Sequence, residues 1–346
     1  MKRTEEVKVS FYNIDRCGFF QRSNSEPLFS SIADVLTQLA TWTSGVDLSK
    51  TKILDANPDK GYPVYLLDIH KTGSEWVFAT WNEVPASETG VASVSSNSKV
   101  GTPEVHMNEI APNSIPGYAT YFWVLPDEKL LATLQFQHKV NGQKQMQNYI
   151  HSFMSHYMSY AVIDVDAPDE YRVIGYTDPN DGKVKSNVRA NFKTAAYVKT
   201  GPVEFILKCH ASIKKVVRRG HVNINSVSDR KIWQSFIQFV RGNKNNAYQL
   251  INQSLYVELE YQPELDELKR MIEVEIKEIR ADVRDDIGFI MEGDASKIHW
   301  ISKAGAYGNV ELEIDRVDEE SIKLESLLSA LNANKRKIMS FLETDA

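Results

Sequence analysis

Several short patterns in this chain hold residue types that could do chemistry, and none has the spacing that the chemistry needs. PELDELK (263–269) has the composition of a nuclease carboxylate-lysine motif, but it opens a helical pattern, whereas such nucleases carry their acids and lysine on strands. His151 and His156 are five residues apart, which misses the i,i+4 pair that binds zinc from one helical face. Cys209 follows an apolar run and, with His210 beside it, lacks a third group to orient a base, so it reads as core. His210 and His221 flank a basic stretch and read as phosphate contacts or as plain surface histidines. Gly293, Gly305 and Gly308 have no phosphate-loop spacing and no following Lys-Ser or Lys-Thr, so they read as turns. No catalytic residue, metal site or cofactor is expected.

What the chain does carry is charge gathered in one place. Between Lys183 and Lys244 stand fourteen Lys or Arg against Glu204 and Asp229, a net of +12 inside a protein whose total is −6. The remainder must sum to −18, with −8 over residues 1–182 and −10 over residues 245–346. A confined excess of one sign speaks to partners rather than to fold, and here it points to a polyanion, most often nucleic acid. The segment divides into three pieces. Over Lys183–Lys193 the cations fall on odd positions with Val184, Val188, Ala190 and Phe192 between them, so one face of a strand would present charge about every 6.6 Å. Over Ser212–Gly220, Lys214 and Arg218, and Lys215 and Arg219, are like-charged i,i+4 pairs if the piece is helical. Over Ser228–Val240 a helix would bury Ile232, Phe236, Ile237 and Val240 and leave Arg230, Lys231, Gln234 and Arg241 outside. The candidate phosphate contacts are therefore Lys183, Lys185, Arg189, Lys193, Lys208, Lys214, Lys215, Arg218, Arg219, Arg230 and Lys231. Aromatic residues are sparse among them (Phe192, Tyr197, Phe205, Trp233) and mostly fit a core face, which favours the backbone of a duplex over stacking on single strands.

The elements that would position these cations can be read from periodicity. Residues 7–14 alternate as a strand, and a helix is predicted over Ser25–Thr43 with Pro27 in its first turn and Phe29, Ile32, Leu36 and Leu39 as its stripe. Residues 62–70 and 75–81 form one predicted hairpin around Gly73, and residues 117–137 form another around Pro126 and Asp127. The Ser, Gly and Thr content of 85–103 reads as a loop, and a helix is expected from Gln143 to about Tyr160. Further on, apolar positions 265, 268, 272, 276, 279, 283, 287 and 290 predict one long helix over 263–291, followed by short strands and a helix over Glu319–Leu342. Strands and helices without regular alternation predict an α+β fold in two domains, 1–180 and 181–346, built mainly on antiparallel sheets. The long helix also offers a seam for a homodimer.

Composition bounds the class. With 42% hydrophobic and 25% charged residues the chain reads as globular rather than disordered. The start, MKRTEEVKVSFYN, has no apolar signal segment, and no run approaches the length that crosses a bilayer. Cys17 and Cys209 give neither a disulfide framework nor paired ligands, so a reducing, cytoplasmic setting is expected.

One resemblance follows from the order of these elements. FYNIDR (11–16) and FSSIADVLTQL (29–39) are followed by YPVYLLDIHKTGSEWVFATWNE (62–83) and GYATYFWVLPDEKLLATLQF (117–136). VEFILKCHASIKK (203–215) and SLYVELEYQPELDELKRMIE (254–273) complete the series. The pattern resembles that of RexA-type phage-exclusion proteins of temperate bacteriophages and their relatives in bacterial phage-defence loci. The resemblance implies a dimeric, cytoplasmic protein that binds double-stranded DNA without sequence preference. It implies in addition a sensor that signals to an effector, a membrane protein in that family, with no catalytic residues to carry over. Two alternatives from other classes stand beside it: a nuclease-type effector, and a scaffold whose basic segment meets acids of its own dimer mate or another subunit.

Overall fold

The computed structural model describes residues 2–22, 24–53, 62–84, 93–106, 114–136, 140–164, 172–222, 253–278, 286–293 and 297–343. Over these residues the fold is α+β on antiparallel sheets, as expected. In chain order the first elements are β1 (Lys2–Gln21), α1 (Ile32–Thr43), β2 (Val64–Thr72), β3 (Glu75–Glu83), β4 (Ser93–Ser95), β5 (Val105–His106), β6 (Ser114–Leu125) and β7 (Leu130–Gln135). Then come α2 (Gln143–His156), β8 (Ala161–Ile163), β9 (Val173–Thr177), β10 (Val184–Lys185), β11 (Val188–Ala196) and α3 (Thr200–Lys208). The last are β12 (Ile213–Val222), β13 (Gln253–Glu260), α4 (Leu265–Glu278), β14 (Asp286–Met291), β15 (Ile298–Trp300), β16 (Tyr307–Asp315), α5 (Leu324–Ala333) and α6 (Lys335–Met339).

Two compact units divide the chain, 1–195 with 307–340, and 196–306 with 341–346. This differs from the sequential halves 1–180 and 181–346, because β16 pairs antiparallel with β1 from Lys2↔Asp315 to Ser10↔Tyr307 and so carries the late chain back to its beginning. The first unit is built on a sheet in the order β11-β1-β7-β6-β3-β2, with β16 also on β1. Its two predicted hairpins are present: Thr72 pairs with Glu75 around Gly73, and Leu125 with Leu130 around Pro126. Apolar residues on both faces of β3, β6 and β7 bury Phe78, Trp81, Phe122 and Trp123, each contributing about 1.5–3 kcal/mol or more from area removed from water. The helix α5 packs on β2, β3 and β16. On β11, Thr194 accepts from Gln143 and donates to Gln147, which ties this strand to α2.

The helix predicted from Ser25 begins only at Ile32, where Ser31 caps it by accepting from Asp34 N. Before it, Phe29 forms a β-bridge with Phe19, Leu28 N donates to Phe19 O, and the Phe19 ring stacks on Phe29 at 4.7 Å. A bridge to β1 thus replaces the expected first turns, and Pro27 lies outside the helix.

In the second unit the sheet order is β13-β12-β14-β15. One face carries the core, with Ile206, Val216, Leu268, Met271, Ile272, Ile287 and Phe289 packed between sheet and helices α3 and α4. The chain passes from β13 through α4 to β14 with β12 lying between the two strands, a split crossover. The single long helix expected over 263–291 is not formed: α4 is described to Glu278, and Ile287 and Ile290 lie in β14, which is buried throughout. The ends of this unit meet, since Ala306 N donates to Tyr197 O at 3.0 Å and Val198 bridges Gly305.

Candidate nucleic-acid interface

Of the eleven candidate cations, Arg230 and Lys231 lie outside the described residues, as does the predicted Ser228–Val240 helix. The other nine fall into two groups.

The piece Lys183–Lys193 is two strands, not one. A turn at Ser186 and Asn187 separates β10, in a sheet with β9 and β8, from β11, in the large sheet. On β11 the period-two expectation holds: Val188, Ala190 and Phe192 are buried and Arg189 and Lys193 are exposed. Four residues of strand separate the two cations, about 13 Å. On β10, Lys185 turns inward between Asp178 at 2.6 Å and Asp181 at 3.2 Å. Its hydrogen bond to Asp178 raises the ammonium pKa, and the same bond lowers that of Asp178. Lys183 stays exposed.

Ser212–Gly220 is extended, not helical, so the i,i+4 pairs of like charge do not form. Val216 and Val217 suit the centre of a strand, and β12 places alternate residues on opposite faces. Lys215 reaches Glu258 on β13 at 2.6 Å, a hydrogen bond that raises its pKa. Arg218 points to the core face, where it meets Glu275 of α4 at 3.4 Å; both side chains are under 10% exposed. Arg219 meets Asp286 of β14 at 3.1 Å and lies over the Trp300 ring at 4.2 Å. Three cations of this strand are therefore paired with acids of the −10 flank of the same chain. Lys214, and Lys208 at the end of α3, remain exposed.

Five candidates, Lys183, Arg189, Lys193, Lys208 and Lys214, are thus exposed without an ion pair among the described residues. For β12 the sorting could not be read from the sequence, because the acids that pair with Lys215, Arg218 and Arg219 are 43 to 67 residues away along the chain, whereas those of Lys185 are close by at Asp178 and Asp181. Trp300 and Asp286, outside the basic segment, had no signal of their own.

Catalytic groupings are not found among the described residues. No cluster of three or more His, Cys, Asp or Glu could hold a metal there. PELDELK opens α4, as its helical pattern predicts. Cys209 packs against the core of the second unit, and burial pushes the Cys17 thiol pKa well up, away from thiolate reactivity. A small open depression in the first unit is lined by Tyr121, Gln135, Phe136, Arg316 and Glu320. Its Arg316 fork is already taken by both oxygens of Glu5 and by Glu319 O. No helix among the described residues is long and apolar enough to cross a membrane. No known protein-family model matches the chain, and no curated protein matches it.

Proposed function

We propose that this chain binds double-stranded DNA through its phosphate backbone, without base readout, and acts as the sensor of a phage-exclusion or anti-phage defence system. The observation that carries the binding is the set of five exposed cations left over when the rest of the described basic segment is paired internally. Lys183, Arg189 and Lys193 belong to the first unit, and Lys208 and Lys214 to the second, so each unit contributes contacts of its own. The defence setting rests on the resemblance in element order. With it come a cytoplasmic location, a homodimer, and a membrane protein or other effector as the recipient of the signal.

A mobility-shift titration against salt tests the binding. Five neutralised phosphates give a slope of log affinity on log salt near −4.5, a loss of about 500-fold between 50 and 200 mM. Arg189→Glu with Lys193→Glu, and separately Lys208→Glu with Lys214→Glu, should each weaken binding to all duplex sequences alike. Binding indifferent to salt, or unaffected by both double variants, contradicts the proposal. Incubation with plasmid and Mg²⁺ in the same assay separates the nuclease alternative, since cleavage abolished by a chelator would require an enzyme.

A further inference from the structure

We propose that Arg219 is an anchored phosphate ligand, and that Asp286 and Trp300 are positioning residues that hold its guanidinium ready for a nucleic-acid backbone. This rests on the DNA-binding reading and adds to it two residues from outside the basic segment.

The three paired cations of β12 are not alike. Lys215 and Glu258 are both partly exposed, and such a pair exchanges readily with water. Arg218 and Glu275 are both buried on the helix-covered face, where no outside phosphate reaches them. Arg219 differs because its side chain is 48% exposed while that of its partner Asp286 is 2% exposed. The acid is itself fixed, accepting from Ser302 N at 3.0 Å and Ser302 Oγ at 2.5 Å. The indole is fixed as well. Gly288 is registered opposite Trp300, and a Cβ there would come within 2.8 Å of the ring. Trp300 therefore lies flat on the sheet, and Arg219 lies on Trp300.

A guanidinium offers five N–H groups in a planar fork. Here Nη2 donates to Asp286 and one face is stacked, while Nε and Nη1 have no partner among the described residues. Nη2 uses one of its two hydrogens on Asp286, and its second lies parallel to an N–H of Nε or Nη1, so that remaining edge of the fork suits two phosphate oxygens side by side. A fork already held in place loses little rotamer freedom on binding. Tyr256 stands directly across on β13, 54% exposed on the same face. Glu258 and Glu260 of that strand lie on the same face, opposite Val217 and Lys215, and Glu258 is engaged by Lys215 at 2.6 Å.

A plain ion pair makes the opposite prediction. If Asp286 only neutralised Arg219, Asp286→Asn would free a charge and tighten DNA binding; if it positions the fork, the same change loosens binding although the protein becomes more positive. Fluorescence anisotropy on a mixed-sequence duplex across a salt series decides this, with thermal unfolding to confirm that each variant is folded. Arg219→Ala should flatten the log–log salt slope by about 0.9, one phosphate. Arg219→Lys, which keeps charge but not the fork, should recover less than half of the lost affinity. Asp286→Asn and Trp300→Leu should each weaken binding several-fold. An unchanged slope in Arg219→Ala, or tighter binding by Asp286→Asn, overturns the inference while wild-type binding leaves the broader reading standing. If the wild type and Asp286→Asn both fail to bind duplex at low salt, both readings fall. Inorganic phosphate should displace DNA no better than chloride at equal ionic strength; stronger displacement that depends on Arg219 would assign the site to free phosphate and overturn the backbone ligand.

Discussion

At the scale of residues, burial separates the ion pairs that hold the fold from those that face a ligand. Arg218 and Glu275 lie between β12 and α4, so Glu275→Ala leaves a buried guanidinium without its acid. That should lower stability by about 3–5 kcal/mol in denaturant titration, whereas Glu258→Ala, at the surface, should change it little. Asp286 supplies a pH-dependent check. Burial raises its pKa above the ordinary 3.8 despite the bonds from Ser302 and Arg219. As pH falls, the folded protein takes up this proton before the unfolded chain does. Asp286 therefore adds stability as pH drops through its folded pKa, and the gain levels off below the unfolded one. Measured over that window, wild type should gain relative to Asp286→Asn; a pH-independent difference would contradict burial as the cause. The sequence made these residues visible only in part. It marked Arg218 and Arg219 as cations, but it gave adjacent residues equal standing when the pleat sends one to the core and the other to solvent.

At the scale of elements, the second sheet depends on a single missing side chain. Gly288→Ala would push a methyl into Trp300 and Ile298, lift the indole and release Arg219. Overpacking of this kind costs about 1–3 kcal/mol, and quenched or shifted Trp fluorescence should accompany the lower melting temperature. The legibility of elements followed the clarity of their periods. The hairpins over 64–83 and 114–135 were readable because Gly73 and Pro126-Asp127 punctuate long apolar strands. The long helix was misread because β14 is buried on both faces. Its continuous apolar run supplies residues at helical steps as readily as at alternating ones, and Ile287 and Ile290 extended the seam by accident. For β12 the spacing of charges suggested a helix, while the adjacent β-branched Val216 and Val217 were the better guide.

At the scale of the whole molecule, residues 196–306 of the second unit interrupt the first, and the two ends of that stretch are hydrogen-bonded to each other. Joining Ala196 to Tyr307 through a short Gly/Ser linker should therefore leave the first unit folded with an unchanged far-UV signature per residue. Truncation after Ala306 should unfold that unit, because it removes β16, the Arg316 fork on Glu5, and the Glu320 carbonyl that accepts from Tyr121. Circular dichroism of the two shortened proteins distinguishes these outcomes. The same β1–β16 ladder sets a timetable. When β1 leaves the ribosome its partner is 286 residues away, which at about 5–20 residues per second is roughly 15–60 s of synthesis. Through that interval β1 has an open edge along its first nine paired residues, so the nascent chain, rather than the finished protein, is where aggregation and chaperone demand should concentrate.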